Sequence, residues 1–115
     1  MNGLLLDSDV LVDHLRGVRR VAPRDGMCVS VVTRCELFAG PAEQETAVRE
    51  LLEPLEELLL DSAIAEAAGR IRREAGVRTP DALIAATAIV HGLALATRNR
   101  RDFAPVPGLV LASGV

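Results

Sequence analysis

The chain has 115 residues, half of them hydrophobic, and a formal net charge of -3. This length suits one compact domain, which we expect over residues 1–115, and the charge offers no overall attraction to nucleic acid. All 13 basic residues are arginine, which excludes a lysine-dependent P-loop and Schiff-base chemistry. Any nucleic-acid site must therefore be a local cluster of arginines.

The first half of the chain alternates short apolar runs with segments of helical spacing. The predicted elements are a strand ending in an acid at GLLLD (3–7), a helix closed by Gly17 at 8–17, a loop over 18–26, a strand at MCVS (27–30), a helix capped by Gly40 at 31–40, and a helix at about 42–53 that breaks near Pro54.

The second half repeats this alternation. The predictions here are a strand at ELLLD (57–61), an amphipathic helix over 62–75, an almost wholly apolar helix from Thr79 as its cap and Pro80 in its first turn to about His91, and strands at 93–97 and 109–112. Strands that alternate with helices predict an α/β domain with a mostly parallel sheet. In such sheets the loops at the carboxyl ends of the strands form the site.

Acidic side chains follow several of these strand ends. Asp7 ends the first strand, Glu36 lies about two turns into the helix after the second, and Asp81 heads the apolar helix. Asn99 and Asp102 follow the strand at 93–97. If these regions meet at one sheet edge, the carboxylates repel one another unless a cation joins them, and oxygen ligands in that number suit Mg²⁺ or Mn²⁺.

Each acid also has a purely structural interpretation. Asp7 and Ser8 could simply cap a helix, as we expect of Asp61 in the same LDS context (60–62). Asp81 could be a first-turn acid favoured by the helix dipole, and Asp102 a turn acid. Spacing alone leaves a metal site and this set of structural roles equally open.

Four stretches taken in order resemble a PIN-domain ribonuclease, specifically a VapC-type toxin of a bacterial toxin–antitoxin pair. They are LLLDSDVLVDHL (4–15), VSVVTRCELFAG (29–40), PDALIAATAIVHGLALATRN (80–99) and ATRNRRDF (96–103). The resemblance implies a PIN-like three-layer domain with a central sheet flanked by helices. It assigns the motif acids to Asp7, Glu36 and Asp81, with Ser30 and Thr33 as supporting polar groups.

The chain departs from the family pattern in two of these stretches. Where the family often has Thr-Asn after the first acid, this chain has Ser8 and Asp9, which adds a possible extra carboxylate. Where some members have an acid in the fourth motif, this chain has Asn99, so either Asp102 replaces that acid or the site uses three acids.

The resemblance implies a metal-dependent endoribonuclease toxin that hydrolyses phosphodiester bonds in structured RNA. Asp7, Glu36 and Asp81 would hold Mg²⁺, for which Mn²⁺ substitutes, and Asn99 and Asp102 would complete the shell. Ser8 and Thr33 would orient water or phosphate. The candidate contacts to the RNA backbone are arginines near the site or in the 16–20 region, namely Arg98, Arg100, Arg101, Arg16, Arg19 and Arg20.

The expected partners are the RNA substrate, a cognate antitoxin that blocks the acidic site, and a second copy of the chain. The homodimer rests on the leucine-rich stretch 47–60, unless Pro54 turns that stretch into the core.

With only Cys28 and Cys35, no signal peptide and no membrane span, we expect a cytoplasmic protein. Two alternatives stay open: an inactive PIN fold that only binds a partner, and a metal phosphohydrolase that is not a nuclease.

Overall fold

The computed structural model describes residues 3–113 and is built on a parallel sheet of four strands in the order β3–β2–β1–β4. The strands are β1 (Leu4–Leu6), β2 (Met27–Ser30), β3 (Glu56–Leu58) and β4 (Ala94–Ala96). The helices are α1 (Ser8–Leu15), α2 (Val31–Phe38), α3 (Glu45–Leu52), α4 (Ser62–Ala75), α5 (Thr79–His91) and α6 (Arg100–Phe103), with a 3₁₀ turn at Ala42–Gln44. The predicted α/β class with a parallel sheet is confirmed.

The two faces of the sheet carry separate cores, because side chains alternate along each strand. Leu5, Cys28 and Leu95 lie on one face, where they pack with buried side chains of α4 and α5. Leu6 and Val29 lie on the other face with buried side chains of α1, α2 and α3. Helices therefore cover both faces, which gives the three layers that the resemblance implied.

Helix α5 is buried along most of its length. Ala82, the run from Ile84 to Ala86 and Ala88 are at most 1% exposed, whereas Ile89 and Val90 near its end are 37% and 44% exposed. The buried Thr87 hydroxyl donates to the Leu83 carbonyl at 2.7 Å, so its one polar side chain within that run is satisfied. Packing on all sides holds the helix, and with it the acid in its first turn.

Several predicted element ends were wrong by a few residues. Arg78, not Thr79, is the N-cap of α5, because Thr79 already has helical geometry and leads into Pro80. The segment predicted as a strand at 57–61 pairs over Glu56–Leu58, and residues 109–112 form a single parallel bridge, Leu111 to Leu95. Helix α2 ends at Phe38 with Ala39 as its cap, ahead of Gly40. The short helix α6 was not predicted.

The leucine-rich stretch 47–60 is mostly part of the core. Four of its six leucines are buried, and only Leu59 and Leu60 are exposed, by 67% and 39%. Because the chain turns at Pro54 between α3 and β3, the residues before and after this proline both reach the interior. Most of the apolar surplus that suggested a dimer surface is thus used within the domain.

No helix in residues 3–113 is long and apolar enough to cross a lipid bilayer.

Gly3 is packed too tightly for a side chain. A Cβ there would lie 2.7 Å from the Cδ2 atom of Leu93 and 2.8 Å from the carbonyl oxygen of Gly26. We expect Gly3→Ala to lower the free energy of unfolding by about 1–3 kcal/mol, as overpacking does. Gly69→Ala is the matched control, because a Cβ at this helical position meets nothing within 4 Å and should raise stability by about 0.5–1 kcal/mol. Urea unfolding of both variants measures the difference, and equal effects would contradict the packing argument.

Candidate active site

The carboxyl ends of three neighbouring strands bring polar residues to one edge of the sheet. Asp7 follows β1, Ser30 ends β2, and Thr97 follows β4. All three are buried, with exposures of 7%, 0% and 6%. Since β1 lies between β2 and β4, Asp7 stands at the centre of this edge.

Asp7 is held by its backbone and by both carboxylate oxygens. Its N–H donates to the Ala96 carbonyl at 2.9 Å, which continues the pairing of β1 with β4. Oδ1 accepts from the Ser8 N–H at 2.9 Å as the N-cap of α1, and Oδ2 accepts from the Thr97 hydroxyl at 2.9 Å. The helix-cap interpretation of Asp7 is therefore correct, and it is compatible with a site at the same residue.

Thr97 links two carboxylates across 90 residues of chain. Its hydroxyl oxygen lies 2.9 Å from Oδ2 of Asp7 and 3.2 Å from Oδ2 of Asp9, and it accepts from the Asn99 N–H at 3.0 Å. Oδ2 of Asp9 also accepts from the Arg98 N–H at 3.1 Å. Oδ1 of Asp9 is buried and has no hydrogen-bond partner within the described residues. The sequence indicates Thr97 only through its place at the end of the strand predicted at 93–97.

The acids of this edge raise one another's pKa values. Burial, then the charge of Asp9, raises the pKa of Asp7 from 3.8 to about 6. Partial burial raises the pKa of Glu36, and the charges of Asp81 and Asp9 add to that shift, while a hydrogen bond with Ser8 opposes it. Burial and the charge of Asp102 raise the pKa of Asp81, which Asp9 raises further. The acids predicted from the sequence therefore lie within electrostatic range of one another, and Asp9 acts on three of them.

Exposure differs among these acids. Glu36, which lies in an apolar stretch of sequence, is exposed on α2, and Asp102 is exposed on α6, whereas Asp81 is half-buried. Asn99 is exposed and starts α6 without a side-chain cap. The cluster thus runs from a buried centre at Asp7 to a solvent-accessible rim.

Two polar side chains of the second motif are fully buried. The Ser30 hydroxyl accepts from the Val32 N–H at 3.0 Å and caps α2. The Thr33 hydroxyl has no hydrogen-bond partner in the described part of the chain. A buried hydroxyl without a partner is costly, so Thr33 is suited to a water or ligand atom.

Two of the six arginines predicted to contact RNA, Arg98 and Arg100, make contacts within the chain. The Arg98 guanidinium pairs with Asp13, and that of Arg100 donates to the Ala112 carbonyl at 2.7 Å. Asp61, expected only to cap a helix, does so: its Oδ1 accepts from the Ile64 N–H at 2.9 Å.

The donor chemistry of this edge fits a hard divalent cation. As the side chains stand, no three acidic, histidine or cysteine groups within residues 3–113 are arranged to hold a metal ion. Yet the mutual repulsion of the carboxylates and the unpartnered Oδ1 of Asp9 are both relieved by a cation that accepts oxygen ligands. A cation at this edge would require the exposed acids to lie closer to Asp7 than they do here.

A model of the PIN domain matches residues 4–109. Ribonuclease VapC19 of Mycobacterium tuberculosis is 35% identical over 119 residues, which cover 91% of this chain and 95% of that protein. Ribonuclease VapC10 of the same organism is 40% identical over 111 residues, 84% of this chain and 82% of that protein.

Solved structures give the same answer for the fold. A toxin–antitoxin complex from Klebsiella pneumoniae matches with a TM-score of 0.80 and 32% identity, over 98% of this chain and all (100%) of that chain. DNA-bound VapBC from Salmonella typhimurium matches with a TM-score of 0.81 and 28% identity, over 97% and 98%. The ordered motifs, the parallel sheet with its acidic edge and these similarities agree, and the chain belongs to the PIN domain family, among the VapC proteins.

Proposed function

We propose that this protein is a metal-dependent endoribonuclease that hydrolyses phosphodiester bonds in structured RNA, and that it is the toxin of a toxin–antitoxin pair. One observation carries the proposal: Asp7, Asp9, Glu36 and Asp81 form one electrostatically coupled group at the carboxyl edge of the sheet. The similarity to proteins named VapC ribonucleases supports the choice of RNA as substrate.

Asp7, Glu36 and Asp81 would hold Mg²⁺, or Mn²⁺ in its place, and Asn99 and Asp102 would complete the shell. Such an ion lowers the pKa of a bound water and stabilises charge on the phosphate oxygens. Asp7 supplies the fixed point, because α1, β4 and Thr97 all hold it. The other acids lie on α2, α5 and α6, and would complete the site around that point.

Neighbouring polar groups would orient these ligands and the attacking water. The Ser8 hydroxyl hydrogen-bonds Glu36 and so links the first and second motifs. Thr33 offers an unpaired hydroxyl for water. Arg98 and Arg100 would reach a phosphate only by giving up their contacts to Asp13 and Ala112, so their first role is to fix the segment after β4.

The proposed partners are a cognate antitoxin and a second copy of the chain. The solved relatives from Klebsiella pneumoniae and Salmonella typhimurium are toxin–antitoxin complexes, which supports the first. A basic antitoxin side chain placed among the carboxylates would relieve the same repulsion that a metal relieves. The exposed Leu59 and Leu60 are what remains of the sequence argument for a homodimer, which light scattering of the isolated chain decides.

Asp81→Asn should reduce RNA cleavage at least about 100-fold, because even groups that only support a metal ligand are worth roughly 10–100-fold. Asp61→Asn is the control: it removes a carboxylate that, like Asp81, lies at the start of a helix and that shares the LDS context of Asp7, yet lies outside the acidic cluster. It should leave cleavage unchanged and cost at most about 1 kcal/mol of stability. Cleavage of a structured RNA with Mn²⁺ and thermal melting measure both.

Parental cleavage by the Asp81 variant, or loss of cleavage in the Asp61 variant with an unchanged melt, would mean that the acids are wrongly assigned. Mn²⁺ binding combined with hydrolysis of small phosphate esters, and no cleavage of RNA, would identify a phosphohydrolase instead.

Asp7→Asn should stabilise the metal-free protein while it weakens Mn²⁺ binding. Because the pKa of Asp7 is about 6 in the fold against 3.8 ordinarily, the folded state binds a proton that the unfolded chain has lost between these pH values. Stability from this group therefore falls as pH rises from about 4 through about 6 and stays low at pH 7. Asparagine keeps the cap without the charge, so the gain should be on the order of 1–3 kcal/mol at pH 7 and near zero at pH 4.

Chemical denaturation of parent and Asp7→Asn at both pH values, without metal, tests the predicted gain in stability. Calorimetric titration with Mn²⁺ tests the predicted loss of metal affinity. An equal change in stability at the two pH values would show that the burial of a charge is not the cause.

The antitoxin should compete with the metal. We expect the complex of this protein with the product of a neighbouring antitoxin gene to bind Mn²⁺ at least about tenfold more weakly than the free protein, since the two share one set of carboxylates. Titration of both forms measures this. Unchanged affinity in the complex would mean that the antitoxin inhibits at a different surface.

A further inference from the structure

A cleft of about 310 Å³ opens beside Asp81. It lies between the turn from α4 to α5 and the helix α6. Its lining contains two acids and two arginines together with small and apolar residues, namely Ala75, Gly76, Val77, Arg78, Asp81, Arg101, Asp102 and Pro105. The acids belong to the proposed metal site, whereas the arginines have no role in it.

Both arginines are exposed. The ion pairs of residues 3–113 use Arg34, Arg49 and Arg98, and neither Arg78 nor Arg101 takes part in one. The guanidinium of Arg78 nevertheless lies close enough to Asp81 to lower that acid's pKa in part. Two exposed, positively charged side chains thus lie beside Asp81 and Asp102 of the acidic cluster.

The backbone around these arginines is fixed. Arg78 is the N-cap of α5, and its carbonyl accepts from the Ala82 N–H at 2.8 Å. Gly76, with φ of 70°, ends α4 in the left-handed conformation and turns the chain into the cleft. Arg101 lies in α6, which is anchored by the fully buried Phe103. The cleft is therefore a feature of packed elements, in contrast to a gap between mobile loops.

We propose that this cleft binds a phosphate group of the RNA adjacent to the one that is cleaved, through Arg78 and Arg101. The inference rests on the proposed function and adds a substrate-binding subsite to it. A guanidinium offers two parallel N–H donors to phosphate oxygens, and two such groups more than offset the single negative charge of one backbone phosphate. The subsite would also explain how a polyanion approaches a site whose own side chains are acidic: the arginines attract the neighbouring phosphate while the metal receives the scissile one.

Steady-state cleavage of a fluorescent hairpin RNA with Mn²⁺, measured over a range of salt concentrations, tests the subsite. Arg78→Ala and Arg101→Ala should each raise KM about tenfold and leave kcat near the parental value, because a lost contact to a charged group costs binding. Each should also flatten the dependence of log(kcat/KM) on log salt by about 0.7, the value for one phosphate contact on a single strand.

Arg70→Ala is the matched control, because it removes the same charge from an exposed position on α4 that does not line the cleft. It should leave KM and the salt dependence as they are. Arg78→Lys keeps the charge, so it should keep the salt dependence and raise KM less than alanine does. Thermal melting confirms that each variant is folded, and the Arg101 variant tests the subsite even if a change at the N-cap of α5 proves disruptive.

The possible outcomes separate the two proposals. If the parent fails to cleave RNA, the proposed function is wrong and the subsite falls with it. If the parent cleaves and the variants at Arg78 and Arg101 behave like the Arg70 control, the subsite is wrong and the proposed function stands. An equal loss in all three alanine variants would also overturn the subsite, because it would show that only net charge matters.

Discussion

The burial of the Asp7 carboxylate at the end of the central strand is the constraint on which the rest of the site depends. A carboxylate at this position loses hydration and stands beside the charge of Asp9, and both effects raise its pKa. The fold accepts this cost because three elements meet there: α1 receives its cap, β4 continues its pairing with β1, and Thr97 donates to the carboxylate. A group held so firmly and at such a cost is a natural anchor for a cation.

Helix α5 positions Asp81, a second acid of the proposed metal site, in a different way. Its alanines let α4 and the sheet approach closely, so Ala82 and the residues from Ile84 to Ala88 are buried. Asp81 in its first turn is thereby positioned by packing instead of by hydrogen bonds to its own side chain. The other two acids, Glu36 and Asp102, are exposed and are not positioned by burial in this way.

Much of this arrangement could be predicted from the sequence, because strand ends in a parallel sheet must meet at one edge. Asp7 follows an apolar run and Asp81 precedes one, and these positions predicted that both acids lie at the sheet edge. The LDS context of Asp61 correctly indicated a helix cap. The role of Thr97 could not be predicted in this way, because it depends on the register between β1 and β4, two strands about 90 residues apart. The contacts of Arg98 and Arg100 could not be predicted either. The partner of Arg98, Asp13, is far away in the sequence, and the partner of Arg100, Ala112, lies outside any helix or strand.

The Thr97 hydroxyl has a single hydrogen for two carboxylates. At any moment either Asp7 or Asp9 receives it, and the other faces the hydroxyl's lone pairs. The Asn99 N–H already occupies one of those lone pairs, so the hydroxyl is oriented towards the acids and cannot turn away without losing that bond. Two neighbouring carboxylates therefore compete for one donor, and the rotation of a neutral side chain decides which of them has the hydrogen bond.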